Sequence, residues 1–77
     1  MQVEVLLFGQ LADIVGTNKF HLQNIPDTDT LGKKLHEMYP ALAKLSYSIA
    51  VNKKTIHENT IFDGDADIAL LPPFSGG

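Results

Sequence analysis

Three groups of residues in this chain of 77 residues have the types and spacing that could support chemistry: Asp63, Asp65 and Asp67; the histidines His21, His36 and His57; and the terminal run Ser75-Gly76-Gly77. Alternating carboxylates would offer oxygen ligands to a hard cation such as calcium. An EF-hand loop beginning at Asp63 would need Gly in its sixth place and a bidentate Glu in its twelfth, but here Gly64 is second and Phe74 is twelfth. A solvated turn is expected there, and no metal. The histidines fall on three different elements without the close pairing of a zinc site, and no serine or aspartate is singled out to complete a Ser-His-Asp set. Neither Gly9 nor Gly16 has the neighbouring glycines and following Lys-Ser or Lys-Thr of a phosphate-cradling loop. No cofactor is expected on this chain, and any ATP would be bound by a partner. The absence of cysteine removes disulfides, thiolate chemistry and Cys-ligated metals.

The terminal run is left. Pro72-Pro73 ends the preceding apolar segment and favours extended polyproline geometry, so residues 72–77 are expected to project from the body as a tail. Gly76 and Gly77 have no Cβ, so they fit a narrow channel in a second protein with backbone angles closed to other residues. A free α-carboxylate is ionised and a poor electrophile at neutral pH; its use requires activation, for example as a mixed anhydride with AMP. A bare glycine end leaves that attack unhindered. Two terminal glycines arise by chance at only about 0.5% from average glycine usage. The competing reading is a frayed terminus, since chain ends are often small and disordered.

The elements that must carry this tail follow from periodicity. Val3, Val5 and Leu7 alternate with Glu4, Leu6 and Phe8, which predicts a strand over Gln2 to Phe8. Gln10 to Val15 has room for one and a half helical turns with Gly16 at the C′ position, and Lys19 to Leu22 is a second strand that would pair with the first. Asp27 is placed to cap a helix carrying Asp29 in its first turn and Leu31, Leu35 and Met38 as an apolar stripe. Gly32 costs that helix about 1 kcal/mol relative to Ala, and Pro40 should end it at Tyr39. Tyr47 to Val51 is a third strand, Asn52-Lys53-Lys54 a tight turn into a brief extended piece at Thr55-Ile56, Asp63-Gly64-Asp65 a turn, and Asp67 to Leu71 the last strand. One helix on one sheet face is an α+β roll, read as a single domain over 1–77. If the first and last strands are neighbours, Leu6, Phe8, Ala69 and Leu71 lie on the face away from the helix, with Phe74 extending the patch toward the tail. Such a patch reads as a partner-binding surface unless Gln10 to Val15 or the loop around Leu45 folds over it.

Composition narrows the classes. A chain this short buries only about 60% of its unfolded surface, so one small core is expected and no room remains for a large enclosed pocket. The net charge of −3 and the absence of arginine leave no guanidinium fork for phosphate, and the six lysines form no long run, so nucleic acid is not an expected partner. The start lacks a signal-peptide pattern, and no segment approaches the roughly 20 apolar residues that cross a bilayer. A cytoplasmic protein with no membrane contact is expected.

Over essentially its full length the chain resembles the small sulfur-carrier subunits of molybdopterin synthase, β-grasp proteins of the ubiquitin-like group. The resemblance is carried by Val5-Leu6-Leu7-Phe8-Gly9-Gln10-Leu11 with Val15-Gly16-Thr17, by Ala50-Val51-Asn52, by Asp63-Gly64-Asp65 and by Leu71-Pro72-Pro73-Phe74-Ser75-Gly76-Gly77. It implies a mixed sheet on one main helix and a Gly77 carboxylate that an ATP-using activating enzyme adenylates. A sulfur donor enzyme would then convert it to a thiocarboxylate. Residues Phe74, Ser75, Gly76 and Gly77 would enter the large synthase subunit, in a heterotetramer, and deliver sulfur to cyclic pyranopterin monophosphate during molybdenum cofactor biosynthesis. The chain would be a sulfur-donating co-substrate, with catalytic side chains on the large subunit. The residue before Ser75-Gly76-Gly77 is often smaller than Phe74 in that family. Alternative readings are a sulfur carrier for thiamin thiazole synthesis, a ubiquitin-like modifier joined to lysine through Gly77, and an interaction module with an inert tail.

Overall fold

Alternation along the first segment produces strand β1 (Gln2–Leu7), in which Val3, Val5 and Leu7 are buried while Gln2 is exposed and Glu4 and Leu6 are half-buried. The computed structural model describes residues 2–72, in the order β1, α1 (Gln10–Val15), β2 (Lys19–Gln23), α2 (Thr28–Met38), a 3-10 helix (Pro40–Lys44), β3 (Ser48–Val51), β4 (Lys54–Ile56) and β5 (Ala66–Leu71). The five strands form one mixed sheet ordered β2-β1-β5-β3-β4. β1 runs antiparallel to β2 and parallel to β5, and β3 runs antiparallel to both β5 and β4.

Helix α2 starts where Asp27 Oδ1 accepts the Thr30 N–H at 2.9 Å, which satisfies one of the amides that the first helical turn leaves without a partner. It stops at Tyr39, whose own N–H still reaches Leu35 O at 2.8 Å before Pro40 starts the 3-10 turn. Leu31 and Leu35 are fully buried in the same cluster as Val3, Val5, Leu7, Ile68 and Leu70, so α2 covers the inner face of the sheet. The third residue of the expected stripe, Met38, is 40% exposed. It stands in the last residue of the helix, beyond the reach of the cluster.

Two features go beyond the sequence reading, the first refining its expected tight turn at Asn52-Lys53-Lys54 and brief extended piece at Thr55-Ile56. Val51 pairs with Lys54, which leaves Asn52 and Lys53 as a two-residue hairpin turn with φ of 50° and 72°. Lys54 therefore opens a strand, and the brief extended piece is the fifth strand of the sheet. The second is a clasp between the start of α2 and residues 58–62: the Phe62 N–H donates to Pro26 O at 2.9 Å and the Thr28 N–H to Thr60 O at 3.0 Å. Thr28, buried with 4% exposure, donates to Asn59 Oδ1 at 3.2 Å and accepts the Thr60 N–H at 2.8 Å.

Candidate functional site: the open sheet face and the root of the tail

Cross-strand neighbours share a face, so the register determines what lies opposite the helix. One row runs Lys19, Leu6, Ala69, Ala50, Thr55, and the row nearer the tail joins Leu71 to Ser48. On the other side of the first row lie His21, Glu4 and Asp67. Leu6, Ala69 and Leu71 are half-buried yet pack against no part of the core cluster, whereas Ala12, Val15 and Leu45 do. Helix α1 and the Leu45 loop therefore turn to the core and do not cover this face. Phe8, at the end of β1, is 46% exposed. With Leu6, Leu7, Asn18 and Lys19 it lines a shallow depression of about 320 Å³.

The parallel pairing of β1 with β5 decides where this apolar zone sits. Parallel strands end on the same side, so Phe8 and Leu71 come together where the chain leaves the sheet toward residue 77. A polar border flanks the zone: Glu4 Oε1 lies 3.6 Å from Lys19 Nζ and 3.8 Å from His21 Nε2. Asp65 Oδ1 accepts the Gln2 N–H at 3.0 Å, and Asn52 Oδ1 accepts the Asp67 N–H at 2.9 Å. An apolar centre with a charged rim is the anatomy of a protein-docking surface.

Of the residues singled out from sequence, Leu6, Phe8, Ala69 and Leu71 are thus gathered at one end of one face. Ala50 shares their side of the sheet by register, but at 6% exposure it offers almost no surface to a partner. Pro73, Phe74, Ser75, Gly76 and Gly77, and with them the expected projection of residues 72–77 as a tail, lie outside the described residues. Pro72 is half-buried beside Gly9.

The other candidates are dispersed. His36 Nε2 shares a 2.8 Å hydrogen bond with the Tyr47 hydroxyl, whose pKa burial raises above 10.0. His57 lies with Thr28, Asp29, Tyr47 and Asn59 along an open depression of about 310 Å³. The Asp65 carboxylate accepts the Gln2 N–H, whereas Asp67 takes part through its backbone N–H. Among the described residues no three His, Asp or Glu side chains stand close enough to share a metal ion. No described helix is long and apolar enough to cross a membrane.

Comparison with known proteins covers nearly the whole chain. A family model described as the ThiS family matches residues 5–77. The chain belongs to the ThiS family. A molybdopterin synthase sulfur carrier subunit from Caenorhabditis briggsae is 31% identical, with 100% of this chain and 99% of the relative covered. Among solved structures, the complex of subunits 1 and 2 of the molybdopterin-converting factor from Helicobacter pylori contains a chain 30% identical, with a TM-score of 0.73 and 100% of both chains covered. Small archaeal modifier protein 1 from Methanosarcina acetivorans is 28% identical with a TM-score of 0.78, covering 99% of this chain and 96% of that one. The fold expected from the resemblance, a ubiquitin-like β-grasp with a mixed sheet on one main helix, is the fold observed, and the sulfur-carrier family it pointed to is the one the comparisons show.

Proposed function

We propose that this ThiS-family chain is the sulfur-carrying small subunit of molybdopterin synthase. In this reading ATP, held by an activating enzyme, converts the Gly77 carboxylate to an acyl-adenylate with release of pyrophosphate. Sulfur at the sulfide level from a donor enzyme attacks the acyl carbon, the acyl–phosphate bond breaks, and AMP departs to leave a thiocarboxylate. The tail from Phe74 to Gly77 then enters the large subunit and passes its sulfur to cyclic pyranopterin monophosphate. The observation that supports this best is the coincidence, at one end of the sheet, of an uncovered apolar zone with the root of a Gly-Gly tail. In this reading the chain supplies the docking surface and the Gly77 carboxylate, and its partners supply the chemistry. The Helicobacter pylori relative, solved together with subunit 2, supports a large-subunit partner.

Intact-mass measurement after incubation with activating enzyme, ATP and sulfur donor tests the proposal. Exchange of one terminal oxygen for sulfur is expected, and an unchanged mass would reject the carrier role. Removing Gly77 should abolish the exchange while the thermal midpoint stays within about 1 °C, because a glycine has no side chain to contribute to a core. The likeness to small archaeal modifier protein 1 favours a second reading, in which Gly77 is joined to a lysine of another protein. A covalent protein adduct in the same experiment would select it.

A further inference from the structure

The last pair of the parallel ladder is Leu7 with Leu70, and two residues further along each strand Gly9 stands beside Pro72. A Cβ placed on Gly9 would lie 3.2 Å from Pro72 Cγ and 3.8 Å from Pro72 Cβ. The Gly9 backbone has φ 60° and ψ −137°, a region nearly empty for residues that carry a side chain. Conformation and contact thus both oppose a Cβ here: the backbone angles would be strained by any side chain, and the Pro72 ring would have to move by a few tenths of an ångström. The start of α1 does not account for both. Gly9 O accepts the Ala12 N–H at 3.1 Å, as the carbonyl of any residue would, and no side chain caps that helix.

Pro72 cannot be held by a ladder hydrogen bond from its nitrogen, because it has no N–H. Its ring fixes φ, so the ring's seat sets the direction of the Pro72 backbone. We propose that Gly9 is a positioning residue for the reactive end: its bare Cα is the seat of the Pro72 ring and sets the place from which residues 73–77 are presented to a partner. The functional consequence rests on the carrier reading. A carboxylate delivered about 1 Å from its mark can lose up to about a hundredfold in rate. Docking, which uses the neighbouring face, is spared.

Two measurements test this. In the free protein, nuclear Overhauser contacts between the Gly9 Hα atoms and the Pro72 ring are expected; their absence overturns the proposal whatever the activity shows. In pyrophosphate exchange with the activating enzyme, Gly9→Ala should lower kcat about tenfold or more with little change in the KM for the carrier. Pro72→Ala alone should also lower kcat, with a cooperative melting transition retained. In kcat the double variant should be no worse than Pro72→Ala, because losing Cγ removes the obstacle that the new Cβ meets; the strain of a side chain at φ 60° remains and lowers its melting midpoint as it does in Gly9→Ala alone. A wild-type kcat in either single variant, an effect on KM alone, or kcat losses that multiply in the double variant would each overturn it. If Gly9→Ala does not fold, Pro72→Ala decides by the same kcat criterion. If the wild-type chain is not adenylated, the carrier reading falls. The seat is then judged by the Overhauser contacts: their presence, with displaced Pro72 ring shifts in Gly9→Ala, supports it, and their absence rejects it.

Discussion

At the scale of single residues, the start of α2 concentrates more polar structure than any other described part of the chain. Hydrogen bonds from Thr30 first, and a weaker one from Asn59, hold the Asp27 carboxyl below the usual 3.8, against a smaller opposing effect of burial. A carboxyl depressed in the folded state stabilises above its unfolded pKa, and that contribution is lost as pH falls through the folded value. Asp27→Asn should therefore flatten the decline of the thermal midpoint between about pH 4 and pH 2, measured by circular dichroism across that range. An unaltered acid limb would show that other carboxylates dominate. Thr28 makes a different demand. Its hydroxyl is buried and serves Asn59 and the Thr60 amide together. Thr28→Val keeps the shape but leaves the Thr60 N–H without that acceptor, at an expected cost of about 1–3 kcal/mol in urea unfolding. Neither effect was legible in sequence beyond the capping role of Asp27, because Asn59 is 31 residues from Thr28 and no local pattern links them.

At the scale of elements, periodicity was a sound guide wherever one face is buried and the other wet. β1, α2 and β5 lie within a residue of their expected ends, since alternation of period two and a stripe at i and i+4 leave little freedom of register. The stripe failed only at Met38, where the helix runs out of core. Gly32 is the weak link inside α2, and a Cβ there would meet nothing within 4 Å. Gly32→Ala should raise stability by about 0.5–1 kcal/mol, read as a higher urea midpoint at unchanged slope. A decrease would mean that the helix needs the flexibility or that a partner approaches at this point. β4 was understated because Lys54, Thr55 and Ile56 show too short an alternation to distinguish a strand from a turn. The two positive φ values at Asn52 and Lys53 are what convert that stretch into a hairpin.

At the scale of the whole molecule, function depends on which strand ends lie together. The apolar zone of Leu6, Phe8, Ala69 and Leu71 lies where β1 and β5 end because the two strands are parallel. Phe8→Asp puts a charge into the centre of that zone without touching the core, Phe8 being 46% exposed. Calorimetric titration should show affinity for the large subunit falling at least about tenfold, as for a central apolar contact, with the midpoint of melting nearly constant. Unchanged affinity would remove Phe8 from the docking surface. A large loss of stability would assign it to the fold instead.

The sequence by itself determined most of the elements, though not the 3-10 helix or the full extent of β4, together with the cap at Asp27, the face on which the residues of β1 and β5 lie and the chemical character of the Gly-Gly end. These are local properties, set by side-chain period, proline geometry and the absence of cysteine. Only the tertiary structure decided that β1 and β5 run side by side in the same direction, that α1 turns inward and leaves the outer face open, and that Gly9 meets Pro72. Each of these is a contact between residues more than sixty apart, or the choice of a side to cover. Such choices are settled by the packing of one small core around Leu31, Leu35 and Leu70, which no local pattern records.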